Sequence, residues 1–514
     1  MYPGTFAAAM PDKPAVIMGR TREVVTYREL DQRSARLAQL LFSRGLRPGD
    51  KVALLAENHP RFYEVYWAAM RSGLYLTTVN RYLAPAEAAY LVNDSGATVC
   101  ITTAQMAPTA VPMLEFIPEC PIRLMMDGVE EGFESYEAAL DASTPEPLAD
   151  QPRGDVMMYS SGTTGRPKGI ERPLRGKQID DPSASVMAST LRTLLGMTEQ
   201  SVYLCPAPLY HAAGLQWSSG THELGGTVVV MEKFDAEQLL TLVEREAITH
   251  TQVVPTMLVR LMKLPPEIRE RYDLSSLECV VHAAAPCPVE VKHQVIDWLG
   301  PIVHEYFAAT EGNGMTFISA ADWLAHPGSV GRPMFGIPHV CDEDGRELPG
   351  GATGLIYFEQ EQASFEYHGD PEKTRASRHP EHDNWSALGD IGYVDDDGYI
   401  YLTDRKAFTI ISGGVNIYPA EIEACLIMHP KVTDVAVFGL PDSEMGEYVH
   451  AVVQPAQGVE GDAHLAEEIL RYAKEHLARY KVPRAIDFRP ELPRLPTGKL
   501  YKQGLRDEYR KAMA

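Results

Sequence analysis

The 514-residue chain lacks the features that would staple it, anchor it in a membrane or draw it to a polyanion. Its seven cysteines, at positions 100, 120, 205, 279, 287, 341 and 425, are odd in number and scattered, with no C-x-x-C pair. Disulfide scaffolds and zinc sites need paired spacings, so these read as reduced, mostly buried thiols. No uninterrupted apolar run reaches the roughly 18 residues of a membrane span. The start, Met1-Tyr2-Pro3-Gly4-Thr5-Phe6, lacks the charge and apolar core of a signal peptide, so a soluble, cytoplasmic protein is expected. Basic residues are scarce, 47 against 70 acidic ones, for a net charge of -23. That excess of acid argues against nonspecific binding to nucleic acid or an anionic membrane surface.

What is present is an ordinary globular composition, 45% hydrophobic and 23% charged, in a chain long enough for several domains. The first half alternates helical and strand patterns. Tyr27 to Arg44 predicts an amphipathic helix stopped by Gly45, Lys51 to Leu55 a strand, Tyr63 to Arg71 a helix and Leu74 to Thr78 a strand. The alternation returns at Ala236 to Ala247, His250 to Val254, Thr256 to Lys263 and Leu277 to Val281. Repeated βαβ units imply a largely parallel sheet. Near residue 390 the texture changes. Ile391 to Val394 and Tyr399 to Leu402 flank Asp395-Asp396-Asp397-Gly398 and predict a hairpin. A compact α+β pattern follows: strand Phe408 to Ile411, helix Pro419 to Met428, strands Val432 to Phe438 and Tyr448 to Val453, and helix Leu465 to Leu477. The expected fold class is α/β, a large multi-sheet N-terminal domain (1–405) with a small α+β C-terminal domain (406–514).

Tyr159-Ser160-Ser161-Gly162-Thr163-Thr164-Gly165-Arg166-Pro167-Lys168-Gly169 gathers small hydroxyl residues, glycines and two cations after the apolar Val156-Met157-Met158. Glycines let backbone N–H groups approach an anion, hydroxyls donate further hydrogen bonds, and Arg166 and Lys168 neutralise phosphate charge. A nucleotide triphosphate is the ligand this suggests. The ordinary phosphate loop, G-x-x-x-x-G-K followed by Ser or Thr, is not met: the fifth residue after Gly162 is Pro167, and Lys168 precedes Gly169. Arg172, Arg175 and Lys177 nearby read as solvated cations.

Three distant segments carry complementary chemistry. Thr310-Glu311 puts a hydroxyl beside a hard carboxylate on a loop after an apolar strand, suited to phosphate and magnesium. Asp390 is a carboxylate able to accept from two neighbouring hydroxyls, as a ribose diol offers. Lys499, in Leu495-Pro496-Thr497-Gly498-Lys499, reads as a lysine on an exposed turn. Together with Phe307-Ala308-Ala309, Asp404-Arg405 and Ser412-Gly413-Gly414-Val415-Asn416-Ile417-Tyr418-Pro419, these segments stand in an order and spacing that resembles the acyl-adenylate-forming superfamily over essentially the whole chain.

The resemblance implies an AMP-forming acyl-CoA synthetase using ATP, Mg2+ and coenzyme A, with a carboxylic acid activated first as acyl-AMP. Ser160, Ser161, Gly162, Thr163, Thr164, Gly165 and Lys168 then hold phosphate, Thr310 assists, and Glu311 with Thr164 serves Mg2+. Phe307 stacks on adenine where relatives usually carry tyrosine, Ala284 of Ala283-Ala284-Ala285-Pro286 lies against the base, and Asp390 with Arg405 holds the ribose. Lys499 stabilises the first half-reaction, and rotation of a mobile C-terminal domain brings Gly413 and Gly414 to the pantetheine arm. His211 is a gate candidate in Pro208-Leu209-Tyr210-His211-Ala212-Ala213-Gly214. Trp217, Tyr306, Gly312, Gly314 and Met315 suggest a pocket for an apolar acid, aromatic or of medium chain length. Departures from the pattern are Ala407 at the pivot, Val415 after the glycine pair, and Ile170-Glu171-Arg172 after the phosphate segment. Transfer to an amine or a carrier protein, a degenerate adenylate binder, and a homodimer all stay open.

Overall fold

Thr26 and Glu29 start the first long helix, Tyr27–Ser43, by trading hydrogen bonds in the computed structural model. The Glu29 N–H donates to Thr26 Oγ1 (3.2 Å) and the Thr26 N–H to Glu29 Oε2 (2.8 Å), which satisfies two donors of the first turn. The helix gives way at Arg44 to Gly45, whose φ of +98° needs no Cβ. The structure describes residues 1–160, 167–362, 365–494 and 500–513. It divides into two compact units, one of Met1–Val253, Lys263–Val281 and Ser364–Thr374, the other of Val254–Met262, His282–Ala363 and Arg375–Ala514.

In the first unit a six-stranded sheet is parallel throughout, in the spatial order Glu134–Ser135, Ile122–Met126, Val99–Thr103, Lys51–Leu55, Tyr75–Val79, Asp155–Val156. Lys51–Leu55 and Tyr75–Val79 are joined by helix Phe62–Met70, every residue of which is buried. An apolar helix without a polar face belongs inside a core, and this one carries Trp67 and Tyr63 at 0% exposure. A second parallel array orders His250–Val253, Val202–Cys205, Thr227–Val230 and Pro14–Met18, edged by the antiparallel Val24–Thr26. The expected alternation of helix and strand is therefore found, with ends shifted by one or two residues. A small antiparallel sheet joins Met158–Ser160, Lys168–Glu171 and Glu366–Tyr367.

The second unit is mainly antiparallel. Val303–Ala308, Met315–Ile318 and Arg332–Phe335 pair in succession, and a separate sheet orders Ile337–Cys341, Gly354–Glu359, Asp390–Val394 and Ile400–Arg405. The predicted hairpin is the last pair. Toward the C-terminus, Val432–Asp442 and Gly446–Pro455 form a ribbon longer than the sequence suggested, because pairing continues through Gly439↔Val449 and Pro441↔Glu447. Helices Pro419–Leu426 and Ala463–His476 close a core of Ile410, Ile422, Val435, Val449, Val453 and Ile469.

The strand expected over Phe408 to Ile411 is displaced. Lys406–Phe408 is a 3-10 turn and the strand runs over Ile410–Ser412. Arg506 Nη1 donates to the Ala407 carbonyl at 2.9 Å, and the cations of Lys502 and Arg506 lie 5.2 and 5.7 Å from the Phe408 ring, which holds these residues out of the ladder. All seven cysteines are unpaired. Burial holds every thiol above its ordinary value, Cys120 at about 11 and Cys205 and Cys279 at about 12. No helix among the described residues is long and apolar enough to cross a membrane.

Candidate active site

The segment expected from sequence to hold phosphate is flanked by two paired strands. Met158–Ser160 and Lys168–Glu171 run antiparallel with Ser160 opposite Lys168 and Tyr159 opposite Gly169. Lys168, read from sequence as a loop cation, is a strand residue, and its ammonium pairs with Asp370 Oδ2. The Lys373 N–H donates to Asp370 Oδ1 at 3.0 Å and so orients that carboxylate. The Lys168 hydrogen bond lowers the Asp370 carboxyl below its ordinary value and raises the ammonium above its own. Two tyrosines brace these strands within the same unit: Tyr159 Oη donates to Asp94 Oδ2 (2.7 Å) and Tyr90 Oη to the Pro167 carbonyl (3.2 Å). Ser161, Gly162, Thr163, Thr164, Gly165 and Arg166 lie outside the described residues.

His211 immediately precedes helix Ala212–Glu223 and its ring lies 4.5 Å from that of Tyr210. The segment before it is fixed by Asn58, whose Nδ2 donates to the Ala207 carbonyl (3.1 Å) while its Oδ1 accepts from the Leu209 N–H (2.8 Å). Thr78 Oγ1 adds a bond to the Tyr210 carbonyl (2.8 Å). Trp217, one turn further along, is buried and stacked on Tyr203 at 6.1 Å.

In the second unit, Thr310 and Glu311 follow strand Val303–Ala308 on a loop, as expected, and Glu311 is only 8% exposed. Gln360 Nε2 donates to the carbonyls of Gly312 (2.8 Å) and Asn313 (2.6 Å), and Asn313 Nδ2 to that of Ser386 (3.3 Å). The loop is thereby tied to the sheet that contains Asp390. Gly312 takes φ +68°, and a Cβ on Gly314 would collide with the Phe358 ring. Phe307 packs against that same ring at 6.3 Å. Asp390 and Arg405 face each other across their hairpin, with Arg405 Nε 3.2 Å from Asp390 Oδ1. Asp404 steadies the turn that follows, accepting from the N–H groups of Arg405 (2.6 Å) and Ala420 (3.0 Å). One compact unit thus brings an aromatic, a hydroxyl, a nearly buried carboxylate and a carboxylate–guanidinium pair onto one framework.

Gly413 and Gly414 form a two-residue hairpin turn between Ile410–Ser412 and Val415–Ile417. Their φ values, +57° and +79°, are those a tight hairpin turn requires at both central positions. A Cβ on Gly413 would also strike the Met445 methyl. Ala284 is exposed and takes φ +76°, a left-handed backbone that alanine rarely adopts. Lys499 lies outside the described residues.

Sequence reasoning did not find Asp370 as the partner of Lys168, nor Lys292 and Glu305, a buried pair at 2.5 Å. The second had a signal: Lys292 falls among Val291, Val295 and Ile296 on the buried face of its helix. Among the described residues no three His, Cys, Asp or Glu side chains gather into a metal-holding group.

Two family models match this chain. The AMP-binding enzyme model covers residues 5–368 and the AMP-binding enzyme C-terminal domain model residues 421–499. The fatty acid–acyl-carrier-protein ligase ScoC of Streptomyces coeruleorubidus is 34% identical over 97% of this chain and 94% of that protein. The feruloyl-CoA synthase of an Amycolatopsis species is 35% identical over 99% of this chain and 98% of that protein. Among solved structures, the amide bond synthetase McbA from Marinactinospora thermotolerans is similar at a TM-score of 0.81 and 27% identity, with 99% of each chain covered.

Proposed function

The chain belongs to the AMP-binding enzyme family, in the acyl-adenylate-forming superfamily, and on that premise we propose that it is an AMP-forming carboxylic acid:CoA ligase. Its acid is apolar, either aromatic or a medium-chain fatty acid. The observation that carries the reading is the framework joining Phe307, Thr310, Glu311 and the Asp390–Arg405 pair through Phe358, Gln360 and Ser386. It offers a stacking face, a phosphate ligand and a diol acceptor, which together recognise a nucleoside phosphate.

In the first step the carboxylate attacks the α-phosphorus in line, the P–O bond to pyrophosphate breaks, and acyl-AMP forms. Catalysis is positioning and charge neutralisation. Asp390 accepts from the ribose hydroxyls, Phe307 and Ala284 enclose the base, and Ser160 to Gly165 with Lys168 and Thr310 receive the phosphates. Glu311 fits a magnesium ion, since nucleotide-held Mg2+ needs only one or two protein carboxylates beside phosphate oxygens, and Glu311 with Thr164 would hold it. The ion would supply positive charge against the phosphate oxygens. Lys499 stabilises the charge that develops as that group leaves. In the second step the C-terminal domain, bounded at Arg405/Lys406 with Ala407 as its pivot, turns to bring Gly413 and Gly414 to the pantetheine arm, and the thiol displaces AMP. His211 gates the acyl pocket that Trp217, Tyr306 and Met315 line.

A second reading, transfer to a carrier protein or an amine, draws support from the similarity to ScoC and to McbA. Lys499→Ala is expected to lower acid-dependent pyrophosphate release by about 100-fold or more while sparing thioester formation from synthetic acyl-AMP. Adenylation at the wild-type rate would remove Lys499 from its role. A panel of aromatic and fatty acids, each assayed with CoA, an amine or neither, separates the acceptors. CoA-independent product formation would favour the second reading.

A further inference from the structure

Glu305 sits in the middle of strand Val303–Ala308, 6% exposed, and two fully buried groups meet its Oε2. Lys292 Nζ, from helix Val289–Leu299, lies 2.5 Å from that oxygen, and His282 Nε2, at the end of strand Cys279–His282, lies 3.4 Å from it. The ammonium also stands 4.6 Å from the Trp323 ring centroid. Hydrophobic side chains would fill this space without desolvating a charge pair, so stability alone gives no reason for it. His282 makes no hydrogen bond at either ring nitrogen among the described residues. Burial holds it far below its ordinary value, with Lys292 and His304 adding to the push, so its ring is neutral.

The two contacts fall at the two ends of one short segment. Residues 283–291 run from His282 to Lys292, and within them Ala284 holds its left-handed φ of +76° while exposed. A strained backbone of this kind persists only where its surroundings over-determine it. Side-chain packing around an exposed alanine does not do so, whereas a fixed point at each end does. Phe307, two residues beyond Glu305, projects from the same face of the strand.

We propose that Glu305 is a positioning residue that, by pairing with Lys292 and packing against the neutral His282 ring, clasps the 283–291 segment and holds Ala284 in the conformation that shapes the adenine slot. It acts through Ala284 and touches no substrate. The inference rests on the reading above that Ala284 and Phe307 enclose the base.

The test uses the full chain and two variants, Glu305→Gln and the double Lys292→Met/Glu305→Leu, each with and without Ala284→Gly. The double variant strands no buried charge, so it keeps its fold where Glu305→Gln alone unfolds. It is expected to raise the KM for ATP by about tenfold with kcat nearly unchanged. Adding Ala284→Gly, which needs no clasp to reach positive φ, should restore most of that loss. A wild-type KM in the double variant, or a raised KM that Ala284→Gly leaves in place, overturns the proposal. Hydrogen exchange over residues 283–291 supplies a readout independent of activity. Protection there should fall in the double variant, and unchanged protection overturns the clasp. A wild-type protein that releases no pyrophosphate with any acid would sink the functional reading, and the exchange measurement would still decide the clasp.

Discussion

His222 and His282 both have no exposed surface, yet the protein builds its interior around them in opposite ways. His222 accepts from Trp67 Nε1–H at Nδ1 (3.3 Å) and lies 3.0 Å from the Ala15 carbonyl at Nε2. Only the neutral ring with its proton on Nε2 meets both partners. Tyr27 and Tyr63 close on it edge-on, at 6.2 and 4.8 Å. Among the described residues His282 makes no hydrogen bond at either nitrogen, and it packs against a buried ion pair. At the first histidine both ring nitrogens find partners. At the second neither does, and a left-handed backbone follows two residues on, at Ala284. A group whose burial the hydrogen bonding does not explain is therefore the place in a core to look for a task beyond packing.

Substitutions at the two histidines and their neighbours test that contrast at several depths. Lys292→Met strands the Glu305 carboxylate and should cost about 3–5 kcal/mol of stability in urea unfolding, whereas the apolar double variant should unfold close to wild type. If the two unfold alike, the pair is not the charged clasp described. His222→Leu leaves the Trp67 N–H and the Ala15 carbonyl without a partner, at about 2–4 kcal/mol together. That substitution also changes the response to acid. Burial lowers His222 from its ordinary 6.5 to about 4, so the unfolded chain takes up the proton first. Stability from this group is complete above pH 6.5 and drains away as the pH falls toward 4, by roughly 3 kcal/mol in all. His222→Leu should flatten that part of the profile, and an unchanged acid slope would place its origin elsewhere. His282→Leu orphans no partner and should cost less than about 1 kcal/mol. A loss equal to that of His222→Leu would erase the distinction between the two regions.

Much of the framework is legible before any coordinates. The amphipathic helix that starts at Tyr27, the strand Lys51–Leu55 and the helix expected over Tyr63 to Arg71 and found at Phe62–Met70 state their structure in their periodicity. Thr310-Glu311, Asp390 and Arg405 are visible as chemistry, because a motif names residue types at short spacing. What stays hidden is pairing across sequence distance. Lys168 reads as a free cation because nothing near it announces Asp370, and the long ribbon is underestimated because each strand's end is set by its partner. Gly413-Gly414 between two short apolar runs did carry the hairpin signal, and the helix that follows at Pro419 obscured it. The left-handed backbone of Ala284 could not be suspected, since alanine says nothing of its φ.

The seven quiet thiols have a consequence for an enzyme that makes a mixed anhydride and offers it to a sulfur nucleophile. A protein cysteine in its thiolate form would compete for the acyl group, or couple oxidatively with the incoming thiol. With every cysteine held above its ordinary value by burial, almost none is ionised at neutral pH. The chain can keep sulfur as filling for its interior without modifying itself with its own product.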